Sequence, residues 1–206
     1  IKIDPSGQPA SIELNGIFIS GDGEEKKTIK LSYSERIKKY LDDFYIMAHR
    51  GGGRNSDRLP ASENSIELIK LAQRYGANGI EIDVKLTKDN VPILYHDENL
   101  NMRLIQQSYL IGNIENYSYS QLYNYVTLKN GEKIPTLEEA LDAVIFETDL
   151  KLVWLDLKST GVIQHIKEIQ KKYNDLAKSE KRDVEILLGI PSDDLYNEYK
   201  NLTNKK

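Results

Sequence analysis

From Phe44 onward the chain alternates short apolar runs with longer stretches whose apolar residues recur every three or four positions. FYIMAH (44–49), GIEIDVKL (79–86), VPILYH (91–96), KLVWLDLK (151–158) and VEILLGI (184–190) read as strands. A helix is predicted over about 64–75, with Asn64 as its cap, Glu67 reaching back and Gly76 ending it. Thr136 and Glu139 form a capping box ahead of a stripe of Leu137, Ala140, Leu141 and Val144. Val162, Ile166, Ile169 and Tyr173 mark the buried face of a further helix, and SDDLYNEYKNL (192–202) starts another. Strands alternating with helices predict an α/β fold with a parallel sheet. The segment 97–133 breaks the alternation: it is long, rich in Tyr and Asn, and carries a short helix at SYSQLYNYV. It is read as a specificity loop, and its tyrosines as surface packing.

Residues 1–43 have another texture. IKIDPSG, SIELNGIFIS and KTIKLS are short β-like runs separated by the turn signals PSG and GDG, and SERIKKYLDDF reads as a short helix. The expected organisation is a small N-terminal extension over 1–43 and a main domain over 44–206.

Composition narrows the class. The 206 residues are 39% hydrophobic and 29% charged with a net charge of −4, as in a soluble globular protein. Lys and Arg are scattered, which excludes nucleic acid as the expected partner. No apolar stretch is long enough to cross a membrane. The absence of cysteine excludes disulfides and thiolate metal sites. Ile1 stands where a Met would begin a chain, which points to a removed upstream segment. Export to the periplasm or the exterior and a cytoplasmic location both stay open, as does the oligomeric state.

The chemistry lies in the strand faces, because residues i and i+2 share a side. In GIEIDVKL, Ile80, Ile82 and Val84 face one way and Glu81 and Asp83 the other. Adjacent carboxylates repel, and a divalent cation removes that repulsion. With only hard oxygen donors on offer, Ca2+ or Mg2+ is the expected ion. A solvated edge strand is the plainer reading, but the flanking sequence reads as central. In KLVWLDLK, Trp154, Asp156 and Lys158 share the polar side. His49 and His96 stand at two other strand ends, each sharing a face with an apolar residue, Met47 and Leu94. Either histidine alone reads equally well as a satisfied core residue. Together with a metal and cations they suit acid–base chemistry on a phosphate ester, at the strand ends where parallel barrels build their sites. Gly51, Gly52 and Gly53 let the loop approach a phosphate beside His49 and Arg50; a plain flexible turn is the alternative. Arg50 also reads as an ion-pair partner of Glu63, Lys158 as a surface cation, and His165 as a boundary residue without a role.

AHRG (48–51), SENS (62–65), GIEIDVKLTKDNVPILYHD (79–97), IPTLEEAL (134–141) and WLDLK (154–158), in this order and spacing, resemble the glycerophosphodiester phosphodiesterases over about residues 44–200. The resemblance implies a (β/α)8 TIM-type barrel and hydrolysis of a small-molecule glycerophosphodiester to glycerol 3-phosphate and an alcohol. It implies His49 and His96 as the general acid/base pair and Glu81 and Asp83 as ligands of Ca2+ or Mg2+. Asp156 stands where the family carries a metal-binding glutamate. Arg50 and Lys158 would contact phosphate, and Glu63 would lie near the metal or orient Arg50. Two departures follow. Asp156 is one methylene shorter than glutamate, and the strand pattern runs out after the fifth strand, whereas such a barrel takes about 250 residues. The expectation is therefore a barrel incomplete at its C-terminus, either a piece of a longer protein or one whose later strands come from elsewhere. A phospholipase-type phosphodiesterase on the same scaffold and a non-catalytic phosphoester-binding module are the alternatives.

Overall fold

The computed structural model describes residues 2–3, 9–11, 13–19, 26–32 and 44–203. The chain divides into two compact units, Ile1–Phe44 and Tyr45–Lys206. In the first, Glu13–Ile19 pairs antiparallel with Lys26–Ser32, and Lys2–Ile3 pairs antiparallel with Pro9–Ser11. The helix expected over 34–44 lies, except for Phe44, outside the described residues.

The second unit is a mixed α/β structure built on a five-stranded sheet. Its strands are β1 (Met47–Ala48), β2 (Gly79–Leu86), β3 (Pro92–Leu94), β4 (Leu152–Leu157) and β5 (Glu185–Gly189). Strands β5, β4, β2 and β1 lie side by side and parallel. The register sets Glu81 beside Trp154 and Asp83 beside Asp156. Strand β2 is thus central, with β4 along one edge and both β1, at Gly79–Ile80, and β3, at Val84–Leu86, paired directly to the other.

Strand β3 departs from the all-parallel expectation: it pairs antiparallel with the end of β2. Only residues 87–91 connect the two strands, too few for the crossover of a dozen or more residues that parallel pairing requires. Among the described residues the sheet is open, and no closed barrel is formed.

The helices are α1 (Ile66–Leu71), α2 (Tyr119–Tyr125), α3 (Leu137–Glu147), α4 (Ile163–Ser179) and α5 (Asp193–Thr203). Helix α3 starts with the predicted Thr136–Glu139 capping box, and α2 with one made by Ser118 and Gln121. Period-two alternation sends Ile80, Ile82, Val84, Val153, Leu155 and Leu157 into one fully buried layer, packed with residues of α1, α3 and α4. That layer leaves the opposite face of β2 and β4 to the polar side chains.

The 97–133 segment is more than a loop. It holds two short antiparallel pairs, helix α2 and a core of its own around Ile105, Ile114, Leu122 and Val126. Strand β3 joins the two cores: Leu94 belongs to the main one, and Ile93, with Tyr95 just past the strand end, to the second.

Candidate active site

Strand β1 ends at Ala48, so His49 and Arg50 sit in a 3-10 turn and not on the strand itself. Arg50 takes a left-handed backbone, φ +54°, and its N–H donates to Glu81 Oε2 at 2.7 Å. Its side chain turns inward: Nη1 donates to Glu63 Oε1 at 2.7 Å, and Nε lies 3.8 Å from Asp83 Oδ2. Arg50 is therefore the Glu63 partner that the plainer reading named. His49 stays largely exposed, with Nε2 3.8 Å from Glu81 Oε2. Burial first, then the Arg50 charge, lowers the imidazole pKa below its usual range, against the pull of Asp83. The glycines have a packing reason: a Cβ on Gly52 would meet Leu68 Cγ at 2.6 Å, and one on Gly51 would meet Ile69 Cγ1 at 3.0 Å. They let the turn lie directly on α1.

Glu81 and Asp83 share the polar face of β2, and Asp156 is the in-register neighbour of Asp83 on β4. One oxygen of each lies within 4.8 Å of the others. Burial first, and the Asp83 charge second, push the Glu81 carboxyl up to about 7. Asp83 is fully buried, and its fixing involves a correction. Asn64 does not cap α1; Ser65 does, accepting from Leu68 N–H. Asn64 adopts a left-handed backbone, φ +59°, which asparagine tolerates better than most residues. Its N–H donates to the Arg50 carbonyl at 2.8 Å. Its Nδ2 donates to Asp83 Oδ2 at 2.8 Å, and its Oδ1 accepts from Asp83 N–H at 3.1 Å. Asp83 Oδ1 is left without a hydrogen bond. Lys158 Nζ stands 3.2 Å from it, misaligned for a hydrogen bond, while donating to Asp156 Oδ2 at 2.6 Å. Burial works against the Lys158 charge, but the Asp156 hydrogen bond and Asp83 outweigh it and raise its pKa.

His96 enters from the other side. It lies two residues beyond the end of β3, after Tyr95, whose N–H bonds the Asp83 carbonyl. The expected face-sharing with Leu94 therefore does not apply: the chain has left the strand. His96 Nδ1 pairs with Asp97 Oδ1 at 2.7 Å. Asp97 also accepts from Arg103 Nε at 3.1 Å and Asn101 Nδ2 at 2.7 Å. Burial would raise the Asp97 pKa, but hydrogen bonds from Arg103, His96 and Asn101 hold it well below the usual carboxylate range. Arg103 Nη1 bonds both oxygens of Glu63 at 3.0 Å, and Glu63 is only 2% exposed. Glu63 thus touches two arginines and lies outside the carboxylate cluster. A continuous polar chain results: His96, Asp97, Arg103, Glu63, Arg50, Glu81, His49.

Asn64 and Arg103 are the residues that sequence reasoning missed. Asn64 was hidden by its position before a helix. Arg103 carries no local signal, because its partners lie 6 and 40 positions away.

The cluster fits a divalent cation on its own chemistry. Three carboxylates converge, one keeps an unsatisfied buried oxygen, another has its pKa raised by burial and then by the charge of Asp83, and all donors are hard oxygens.

The glycerophosphoryl diester phosphodiesterase family matches residues 49–188. A glycerophosphodiester phosphodiesterase of Caldanaerobacter subterraneus is 31% identical over 140 residues, 63% of this chain and 53% of that protein. Human glycerophosphodiester phosphodiesterase 1 is 30% identical over 114 residues, 52% of this chain and 32% of that protein. The crystal structure of a glycerophosphodiester phosphodiesterase from Parabacteroides distasonis aligns with a TM-score of 0.53 and 27% identity, covering 79% of this chain and 62% of that one. The chain spans about half the length or less of these curated relatives. With the family match covering more than half of its residues, the chain belongs to the glycerophosphoryl diester phosphodiesterase family.

Proposed function

We propose that the protein is a metal-dependent phosphodiesterase that hydrolyses a glycerophosphodiester to glycerol 3-phosphate and an alcohol. The observation that carries this reading is the convergence of three carboxylates beside His49, with His96 and Lys158 lining the adjoining cleft. Family membership supplies the reaction class. The strands are read as the first part of a (β/α)8 barrel, with the site at the C-terminal ends of β1, β2 and β4.

His49, with its pKa lowered, is neutral near pH 7 and able to accept a proton. His96 is oriented by Asp97, which accepts a hydrogen bond from Nδ1–H and leaves Nε2 to exchange a proton. One histidine removes the proton from the attacking oxygen as its bond to phosphorus forms. The other gives a proton to the departing alkoxide as the second P–O bond breaks. Arg50 Nε–H makes no hydrogen bond, facing Asp83 Oδ2 at 3.8 Å, and on this reading it would turn from Asp83 to donate to a phosphoryl oxygen. Lys158 is partly exposed and can turn from Asp156 to a second one. Glu63 orients Arg50. Ca2+ or Mg2+ held by Glu81, Asp83 and Asp156 would neutralise charge on the phosphoryl group when bound.

The test is release of glycerol 3-phosphate from glycerophosphocholine and glycerophosphoethanolamine with Mg2+, Ca2+ or EDTA. Activity should need the metal, and His49→Ala and His96→Ala should each lower it about 100-fold or more. A phosphoester-binding module would hold its ligand unchanged in both variants and release no product.

A further inference from the structure

A cleft of about 400 Å3 opens from the site between the 97–133 segment and the loop after β4. His96 and Lys158 line its inner end; Lys85, Glu98, Asn113, Glu115, Ser159 and Thr160 form the rest. Each of the eight side chains is polar or charged. Lys85 continues the face of Glu81 and Asp83 on β2, and its Nζ lies 3.4 Å from Glu115 Oε1. Ser159 also bonds Glu115, and Asn113 Nδ2 donates to Glu98 Oε1 at 3.3 Å.

We propose that this cleft receives the leaving alcohol and that the alcohol is a polyol, such as glycerol or inositol. The proposal rests on the phosphodiesterase reading above and names the substrate class of that site. The cleft abuts His96; with His96 as the histidine that protonates the departing oxygen, the substituent on that oxygen projects into it. Its walls mix donors with acceptors, and a hydroxyl both donates and accepts. Two lysines and two glutamates leave no net charge to select an ionic head group. Among the described residues no Phe, Tyr or Trp ring lines it, so a trimethylammonium group lacks the face it would sit over. No aliphatic side chain lines it either, so an acyl chain would gain little by burial there.

The experiment compares kcat/KM for glycerophosphoinositol, glycerophosphoglycerol and glycerophosphocholine in the wild type, Glu98→Ala and Thr160→Val. Both variant positions are exposed, which leaves folding intact. The polyol esters should exceed the choline ester by about tenfold, and each variant should cut that ratio several-fold. Equal rates, or a preference for choline, would overturn the proposal. An equal loss on all three substrates would also overturn it, by assigning the cleft to their shared glycerol. If no substrate is turned over, the phosphodiesterase reading fails instead. Calorimetric titration with glycerophosphoinositol and glycerophosphocholine then decides the cleft alone: tighter inositol binding, weakened by Glu98→Ala, supports it, and no difference refutes it.

Discussion

Asn64→Ala tests how the carboxylate cluster is held. Asn64 is buried to 2% exposure, and its amide makes both bonds to Asp83, at 2.8 and 3.1 Å. Truncation leaves a buried carboxylate oxygen without its donor and the Asp83 N–H without its acceptor. A hydrogen bond to a charged group contributes about 1.5–3 kcal/mol. Alanine at φ +59° costs about 1 kcal/mol more, because its Cβ crowds the carbonyl. The expected loss is about 2.5–4 kcal/mol, a large share of a typical total of about 5–15 kcal/mol. Asn64→Gly removes the same amide but accepts the backbone, so it should be milder by about 1 kcal/mol. Urea unfolding in EDTA measures both. Calorimetric titration with Mg2+ or Ca2+ then measures what the amide does for the cluster. Without it Asp83 loses its fixed orientation, and affinity should fall by about 10- to 100-fold in the glycine variant. A stability loss below about 1 kcal/mol in Asn64→Ala, or unchanged metal affinity in Asn64→Gly, would refute the reasoning.

Glu81 gives a pH prediction. Its folded-state carboxyl is raised from 4.5 to about 7, so the folded protein binds the proton more tightly than the unfolded chain. Its contribution is therefore favourable below pH 4.5 and is lost as pH rises through about 7. In EDTA, Glu81→Gln should gain on the wild type in thermal stability between pH 5 and 8; a constant difference would contradict the shift. Arg103→Ala removes a half-exposed cation and should cost only about 1 kcal/mol in stability. By releasing Asp97 and Glu63 it should nevertheless lower kcat about tenfold with a smaller change in KM, and stopped-time kinetics showing an unchanged kcat would break the link between the two histidines. Gly52→Ala places a Cβ 2.6 Å from Leu68 Cγ and should destabilise by about 1–3 kcal/mol in urea unfolding; a neutral result would mean the turn does not rest on α1.

The periodic parts of the chain were legible. The period-two alternation of GIEIDVKL and KLVWLDLK predicted one apolar and one polar face, and the structure buries Ile80, Ile82, Val84, Val153, Leu155 and Leu157 together. The same alternation predicted that Glu81, Asp83 and Asp156 face one way, and they converge. Alternation failed where the chain leaves its strand. His49 and His96 were placed by extending strands that end at Ala48 and Leu94. The direction of β3 could have been read from its short connection, since residues 87–91 cannot cross over. Asn64 could not have been separated from a helix cap by sequence alone. Both roles favour Asn before an apolar run, and only the positive φ and the nearness of β2 tell them apart.

The second core explains why the 97–133 segment can take part in the site at all. A free loop would place Asp97 and Arg103, and through Asp97 the preceding His96, with the looseness of its own fluctuations. Here Tyr95 is buried in the second core, its N–H is tied to Asp83, and Leu94 beside it belongs to the main core. His96 therefore follows a residue fixed on both sides. Arg103 adjoins Leu104 and Ile105, which also pack in the second core, so its guanidinium is carried by that core to Asp97 and Glu63. Loosening the second core should then disturb His96 before it unfolds the main sheet. Among the described residues β3 is the strand that belongs to both cores, so on the proposed reading the second core and the carboxylate cluster are mechanically joined through it.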